Sequence, residues 1–371
     1  MKKLQVAVIG YGRSGRDIHK HLLDQLPDLY KVVAFVDADP QRREMIQAET
    51  GLKALTDYKE LFAFKESIDL VVNASFTQDH AAISKDLLEH GFRVLSEKPA
   101  APTVAEFDAV TAAAKQAGTE YLVFQQYRFS PSYQKIKECI ASGILGDIMQ
   151  IELRYDNFSR RWDWQTLQAC KAGSLRNTGP HLFIEPMGLD TEELYIQGFS
   201  SAFPEEVQVT AHMRCAHTFG DAEDYVKLIL QAENAPLLDV EISSANAYCP
   251  HTYLVQGTRG CLVGDTSHLE WKYYQEEEAP AHQVTKEPLR NEKGEPIYCG
   301  EKLPLHQDSW TATGEETDDF NCKGLAFYRS LYRHLTEGTA FEIQLDQVRK
   351  QIAVIEEAHR QNDAYMPKLY T

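Results

Sequence analysis

The sequence predicts an α/β protein with two domains, the first built on a parallel sheet and the second on a mostly antiparallel one. A chain of 371 residues is long enough for two domains. Strand-like and helix-like segments alternate over residues 1–125, whereas strand-like segments dominate residues 126–371. Alternation indicates parallel strands with helices on both faces, and a run of consecutive strands indicates an antiparallel sheet.

Most elements of the first domain carry a local start or stop signal. Pro40 opens one helix, and Gly91 and Gly118 close two others. Thr103 and Glu106 have the spacing of a capping box at a helix start. The predicted strands are residues 4–9, 32–37, 69–75, 93–96 and 121–124, and the predicted helices are residues 14–26, 40–50, 80–90 and 103–116.

The pattern changes after Ser130-Pro131. Residues 275–322 are polar and rich in Glu, Pro and Gly, which fits either an ordered lid or a surface insertion. Two closing helices are candidates to pack back on the first domain. The predicted helices are 132–141, 325–336 and 345–360, and the predicted strands are 148–157, 193–199, 207–215, 225–232, 238–243, 253–257 and 269–274.

Composition excludes several classes of function. The net charge of −17 argues against nucleic acid and against an anionic membrane surface, since both attract clustered Lys and Arg. The first apolar run, residues 4–9, is too short for a signal peptide core, and no run approaches a membrane span. The seven cysteines form no CxxC pair, so the sequence predicts a cytoplasmic protein with reduced thiols and no metal site.

A glycine-rich turn follows the first strand and opens the first helix. It reads Gly10-Tyr11-Gly12-Arg13-Ser14-Gly15. In a Rossmann dinucleotide-binding domain, the first glycine permits the turn, the second lets the backbone approach a pyrophosphate, and the third lets helix and strand pack closely. The helix N-terminus supplies amide donors to the phosphates. Gly10, Gly12, Arg13, Ser14 and Gly15 are therefore predicted to bind the cofactor.

Asp37 ends the second strand about twenty residues after this turn, at the position that selects the cofactor. A carboxylate there accepts hydrogen bonds from the ribose hydroxyls and repels a 2′-phosphate, which favours NAD over NADP. Arg13, Arg42 and Arg43 lie close in sequence and keep NADP open as the alternative.

The strand end Ser96-Glu97-Lys98-Pro99 carries the candidate for chemistry. Ligands of an open α/β sheet bind outside the carboxyl ends of its strands. A lysine at this edge would face both a dinucleotide and the molecule that reacts with it.

Several segments in order resemble the Gfo/Idh/MocA family of NAD(P)-dependent sugar and polyol oxidoreductases. Glu97-Lys98-Pro99 matches the family's E-K-P, while Ser75-Phe76 replaces the Thr-Pro of its A-T-P-N-x-x-H segment. The matching segments are residues 73–80, 97–99, 127–131, 179–181 and 256–260. The resemblance implies a Rossmann domain, a C-terminal domain with a large, mostly antiparallel open sheet, and an active site between them. It also implies a homodimer or homotetramer that associates through the sheet.

The resemblance assigns roles residue by residue. Ser75, Phe76, His80, Glu97 and Arg128 are carried over as cofactor-binding residues, together with the lysine of E-K-P.

The family's catalytic triad falls on Lys98, Asn177 and His181, and its aspartate is replaced by Asn177. A histidine suits removal of a hydroxyl proton because its pKa lies near working pH, and a lysine stabilises developing alkoxide charge. With no acid at position 177, His181 works at a lower pKa, or another acid such as Glu185 substitutes, or the protein turns over slowly.

An aromatic and basic cluster precedes the His181 segment. Indole and guanidinium groups bind sugar rings and carboxylates, so substrate contact and simple packing both remain open for these side chains. The substrate candidates are Tyr127, Tyr155, Arg161, Trp162 and Trp164. His306 and Trp310 reach the site only if residues 275–322 form a lid.

The leading hypothesis is an NAD-dependent oxidoreductase that acts on a secondary hydroxyl or carbonyl of a sugar, polyol or derivative. The first alternative is an NAD(P)-binding regulatory or ligand-sensing protein with little turnover, which Asn177 supports. The second is a glycosidase that uses NAD without net oxidation.

Overall fold

A computed structural model describes residues 2–189, 207–233 and 235–367, without the side chains of residues 183–189. The strand predicted at 193–199 and the side chain of Glu185 lie outside the described part. No helix in the described ranges is long and apolar enough to cross a membrane.

The first sheet has five parallel strands in the order β2-β1-β3-β4-β5. The strands are β1 (Leu4–Ile9), β2 (Tyr30–Val36), β3 (Leu70–Asn73), β4 (Val94–Ser96) and β5 (Tyr121–Val123). Ile9 pairs with both Val36 and Asn73, and Asn73 pairs with Ser96. The carboxyl ends of four strands therefore meet at one edge, as predicted.

Helices connect these strands, and their ends follow the signals of the sequence. The side chain of Thr103 accepts a hydrogen bond from the amide of Glu106, and Gly118 ends the same helix in the left-handed conformation. A helical segment, Tyr58–Ser67, was not predicted. The helices are α1 (Arg13–Lys20 continued by His21–Asp24), α2 (Pro40–Thr50), α3 (His80–Glu89) and α4 (Val104–Ala117).

The second sheet has eight strands in the order β13-β12-β11-β10-β6-β9-β8-β7. Its neighbours are antiparallel except β6 and β9, which are parallel. The strands are β6 (Ile148–Asp156), β7 (Gln208–Arg214), β8 (Tyr225–Gln231), β9 (Leu237–Ser243), β10 (Tyr253–Gly257), β11 (Gly260–Gly264), β12 (His268–Tyr273) and β13 (His306–Thr311).

Two of these strands were not predicted. β11 is short and has glycine at both ends, and β13 is a polar edge strand without apolar alternation. Both form because a neighbouring strand offers backbone partners, which local propensity does not report.

The α-helices in the described part of residues 126–371 are α5 (Pro131–Ala141), α6 (Ser174–Leu189), α7 (Asp319–Glu337) and α8 (Leu345–Asn362). Helices α5 and α6 contribute to the core of the second sheet. Helix α7 instead packs on the first core through Phe327, Tyr328 and Leu331. Burying a large apolar side chain contributes about 1.5–3 kcal/mol, so three of them hold α7 firmly on the first domain.

Helix α8 joins both cores, through Val348 and Ile352 on one side and Val354 and Ile355 on the other. The two closing helices thus fix the relative placement of the two sheets. The division at residues 125 and 126 stays a prediction.

The polar excursion of residues 275–322 runs over the surface before it returns as β13 and the start of α7. Residues 281–302 are all exposed. None of residues 275–319 lines the large cavity between the first sheet and the second domain. His306 and Trp310 lie on β13, where they pair with Tyr273 and Leu269 at the sheet edge.

Candidate active site

A cavity of about 710 Å³ opens between the carboxyl ends of the first sheet and the second domain. This volume lies in the range of small-molecule sites, about 300–1,000 Å³. Gly10, Asp37 and Lys98 contribute from the first domain, and Tyr155 and His181 from the second.

The glycine turn has the geometry that its spacing predicts. Gly10 has a φ of +87°, and a Cβ there would lie 2.4 Å from the carbonyl oxygen of Ala74. A Cβ on Gly15 would lie 1.8 Å from the carbonyl oxygen of Gly10. At Gly12 the nearest atom to such a Cβ, Nη1 of Arg42, is 3.7 Å away. Close backbone contacts thus require glycine at positions 10 and 15. Gly12 has no such contact and leaves space open on the side of the cavity.

Asp37 lies at the same end of the cavity and is held in place by backbone donors. Its Oδ2 accepts a hydrogen bond of 2.7 Å from the amide of Tyr11, and its Oδ1 accepts one of 2.9 Å from the amide of Asp39. Nη1 of Arg42 lies 3.5 Å from the same Oδ2. The carboxylate is therefore fixed beside the glycine turn, with one arginine next to it.

Glu97 is a buried acid in the wall of the cavity. Its Oε1 lies 3.2 Å from Nε2 of His19, and its Oε2 accepts a hydrogen bond of 3.0 Å from the amide of Lys98. Burial opposes its ionisation, but His19, Lys98 and His80 outweigh that penalty and lower the pKa of Glu97 to about 2. The carboxylate thus orients the backbone that carries Lys98.

Lys98 crosses from the first domain to helix α6 of the second. Its Nζ donates a hydrogen bond of 2.7 Å to the carbonyl oxygen of Asn177 and lies 3.5 Å from Oδ1 of the same residue. Burial lowers the pKa of Lys98, Glu97 raises it, and Arg13 and Arg161 lower it further. The ammonium is positioned at the junction of the two domains.

His181 lies one helical turn after Asn177 on α6, so both side chains face the cavity. The His181 ring stacks on Tyr127 with centroids 4.1 Å apart. Its Nδ1 is buried and has no hydrogen-bond partner among the described residues. Burial, Lys98 and Lys323 hold the pKa of His181 well below its ordinary value of 6.5. The imidazole is therefore neutral at physiological pH.

Lys323 was not among the sequence candidates, although it lines the same cavity from α7. It is only 5% exposed, and its Nζ pairs with Oδ2 of Asp319 at 2.5 Å. The ammonium also lies 3.7 Å from the centre of the Tyr127 ring, on the chain of contacts that leads to His181. No local motif marks this lysine, because it reaches the site only through the packing of α7 on the first domain.

Four of the five substrate candidates line the cavity: Tyr127, Tyr155, Arg161 and Trp164. Arg161 is paired with Asp163 at 2.7 Å, and Trp164 makes an edge contact with Phe76. Trp162 differs from the expectation, since it is 79% exposed and does not line the cavity.

Two residues carried over as cofactor ligands also lie away from the cavity wall. Nδ1 of His80 lies 2.8 Å from the carbonyl oxygen of Pro99, and Nε2 lies 3.0 Å from that of Ser75, so the neutral ring donates a hydrogen bond to one of the two. Arg128 is buried and donates to the side chain of Gln347 near the start of α8. Both residues therefore support the structure around the site, and neither lines the cavity.

The cavity also contains residues that the sequence did not single out. Asn157, Ser174 and Thr178 supply neutral polar groups to the cavity wall, and Thr56 and Tyr58 line it from the segment that follows α2. The described residues hold no group of three His, Cys, Asp or Glu side chains suited to a metal ion.

The arrangement fits a dinucleotide. The clashes at Gly10 and Gly15 leave no room for side chains, and the open position at Gly12 leaves room for a phosphate beside the backbone. Asp37 lies at the end of the second strand, the position that contacts a ribose in dinucleotide-binding folds. The same cavity continues to Lys98 and His181, so one ligand at the glycine turn and a second at these side chains would meet.

Comparisons with known proteins agree with this geometry. A family model described as "Oxidoreductase family, NAD-binding Rossmann fold" matches residues 4–125, and one described as "Oxidoreductase family, C-terminal alpha/beta domain" matches residues 137–363.

Curated relatives match at low identity over most of the chain. The scyllo-inositol 2-dehydrogenase (NADP(+)) IolW of Bacillus subtilis is 24% identical over 359 residues, which cover 96% of this chain and 92% of that protein. The 2,7-anhydro-N-acetylneuraminate hydratase of Mediterraneibacter gnavus is 25% identical over 270 residues, which cover 71% and 68%. The solved structure of GenD2 from gentamicin A biosynthesis, in complex with NAD, superposes with a TM-score of 0.70 at 19% identity and covers 100% of this chain and 97% of that one.

Proposed function

The chain belongs to the Gfo/Idh/MocA oxidoreductase family, and from this premise we propose that it is an NAD-dependent dehydrogenase of a secondary hydroxyl on a sugar, polyol or derivative. The observation that carries the proposal is the convergence of Lys98 and His181 on the cavity that the glycine turn also lines. Residues 4–125 form an NAD-binding Rossmann domain, so a hydride acceptor and two polar side chains suited to a hydroxyl share one site.

The glycine turn and Asp37 are the residues that would hold NAD. When bound, NAD accepts a hydride from carbon. The helix that begins at Arg13 directs amide groups toward the phosphates, and the carboxylate of Asp37 accepts hydrogen bonds from ribose hydroxyls. Arg42 beside Asp37 is the feature that keeps NADP as the alternative cofactor. NADP(+) is the cofactor in the name of the Bacillus subtilis relative.

We assign the proton chemistry to His181 and the polarisation of the substrate oxygen to Lys98. His181 is neutral, so it can accept the hydroxyl proton as the hydride leaves, and in the reverse direction it returns that proton. Lys98 donates a hydrogen bond to the same oxygen and stabilises its developing negative charge. Asn177 carries no charge, and its backbone carbonyl and amide oxygen hold the lysine in place.

The substrate class rests on the cavity wall and on the relatives. Tyr155, Trp164 and neutral polar groups such as Asn157 suit a hydroxylated ring. The names of the two curated relatives refer to an inositol and to a sialic acid derivative. We also expect a homodimer or homotetramer formed through the second sheet, which sedimentation analysis would measure.

A panel of sugars and polyols tests the proposal. Purified protein is titrated with NAD and NADH, and each panel member is then assayed for cofactor reduction by NADH fluorescence. Binding of NADH, together with reduction on at least one polyol or sugar, is the expected result. Failure to bind either nucleotide would remove the basis of the proposal.

The same assays separate the two alternatives, which the named relatives do not favour. A binding protein with little turnover would show no reduction with the wild type but would gain it in Asn177→Asp. A glycosidase would release sugar from a glycoside with no net formation of NADH.

A further inference from the structure

The buried charges around His181 are unbalanced. Among the described side chains, no carboxylate lies within ion-pairing distance of Lys98. The ammonium of Lys98 donates instead to the neutral oxygens of Asn177. The nearby carboxylate of Glu97 is turned toward His19 and the backbone amide of Lys98. A buried ammonium that makes no direct ion pair is unfavourable, so this part of the cavity favours an anion.

Lys323 adds a second ammonium near His181, because it lies over the Tyr127 ring on which the imidazole stacks. One carboxylate, that of Asp319, pairs with it, and the Tyr127 ring covers it at 3.7 Å. An ammonium has three donors, so one remains for a ligand in the cavity that Lys323 lines. Arg161 lines the same cavity, although its guanidinium is already paired with Asp163.

His181 lines the same cavity, and both ammonium groups lie near enough to its imidazole to lower the pKa of that ring. Two ammonium groups and an imidazole thus line one cavity, in which the neutral Asn177 contacts Lys98. A carboxylate has the charge and the acceptor lone pairs for such a space.

We propose that the substrate is a sugar acid, whose carboxylate is bound between Lys98 and Lys323 next to His181. This inference rests on the proposed function, because it names the substrate class of the same site. The substrate's own carboxylate then provides the negative charge beside His181 that position 177 does not. Lys323 is a specificity-determining residue on this basis, and neutral polyols are the poorer ligands.

Matched ligand pairs test the proposal through binding, independently of turnover. The pairs are D-gluconate with D-glucitol, D-galactonate with galactitol, and D-glucuronate with D-glucose, each titrated into full-length protein with NADH. We expect at least one acid to bind about tenfold or more tightly than its neutral partner, as charge-assisted hydrogen bonds imply. If no acid binds more tightly than its neutral partner, the inference is overturned.

Two substitutions test where the carboxylate of the acid is bound. Lys323→Met removes one ammonium, and Asn177→Asp places a carboxylate where the substrate's carboxylate would bind. Each should reduce the preference for the acid about tenfold. Arg333→Gln, an exposed cation on the same helix, is the matched control and should leave the preference unchanged. An unchanged preference in both Lys323→Met and Asn177→Asp would place the anion elsewhere and overturn the proposal.

The outcome also separates this inference from the proposed function. Preferential binding of an acid without cofactor reduction would contradict the dehydrogenase and leave the acid site standing. Reduction of the cofactor by neutral polyols, with equal binding of both members of every pair, would leave the dehydrogenase standing and remove the acid site.

Discussion

Nζ of Lys98 lies 2.7 Å from the carbonyl oxygen of Asn177, a residue 79 positions later and in the other domain. The lysine follows a strand of the first sheet, and the asparagine lies in the first turn of α6. This hydrogen bond therefore connects the dinucleotide end of the cavity to the helix that carries His181.

Lys98→Ala should reduce kcat by about 10²–10³ and change the affinity for NAD much less, because the ammonium acts on the substrate oxygen. Steady-state kinetics and NADH titration measure the two effects. Lys85→Ala, on the exposed face of α3, is the control for loss of a lysine. Equal losses in kcat and in NAD affinity would contradict the assigned role.

The pH dependence of oxidation should report His181. Burial, Lys98 and Lys323 lower its pKa, and the neutral form is the active base. Activity should therefore persist below pH 6.5 and decline only as the pH falls through the lowered pKa. Lys323→Met removes a like charge, so the acid limb of kcat should move to higher pH. Asn177→Asp should also move the acid limb of kcat to higher pH. If the acid limb stays in place in both variants, His181 is not its source.

The preference for NAD should depend on Asp37. In Asp37→Ala the KM for NAD should rise about tenfold, the equivalent of roughly one charge-assisted hydrogen bond. Loss of the carboxylate also frees Arg42, which lies 3.5 Å from it, to bind a 2′-phosphate. The ratio of kcat/KM for NADP to that for NAD should then increase. Asp28→Ala, an exposed acid before β2, should leave both values unchanged.

Glu97 should make stability depend on pH in the acid range. Its pKa is lowered to about 2 in the folded protein, against about 4.3 in an unfolded chain. The ionised carboxylate therefore stabilises the fold above pH 4.3, and this contribution is lost as the pH falls toward 2. The free energy of unfolding in urea should be measured for the wild type and for Glu97→Gln. The wild type should exceed the variant by up to about 3 kcal/mol more at pH 7 than at pH 2. A difference that does not vary with pH would show that Glu97 is not ionised.

Gly15→Ala should disrupt the turn. The added Cβ would lie 1.8 Å from the carbonyl oxygen of Gly10, so strand and helix must separate. The free energy of unfolding should fall by about 1–3 kcal/mol, and NADH binding should weaken in parallel. Gly300→Ala, where no atom lies within 4 Å of the added carbon, is the matched control. Thermal unfolding and NADH titration of both variants would decide the comparison.

The sequence by itself determined the first sheet, the glycine turn and the position of Lys98 at the end of a strand. These depend on local signals, namely apolar strands, helix caps and glycines that only a tight turn requires. Because parallel strands end at a common edge, the same signals also place Asp37 and Lys98 on one side of the sheet. The order of strands in the second sheet and the polar edge strand β13 depended on pairing between distant segments.

Tertiary structure alone decided which side chains face the cavity. Lys323 enters because α7 packs on the first core, where Gly324 brings it close to Leu22 of α1. Arg128 and His80 do not line the cavity, because Arg128 donates to Gln347 near the start of α8 and His80 packs against the backbone of Pro99. A sequence motif places a residue on an element, but the direction of its side chain follows from the packing and hydrogen bonds of elements far away in the chain.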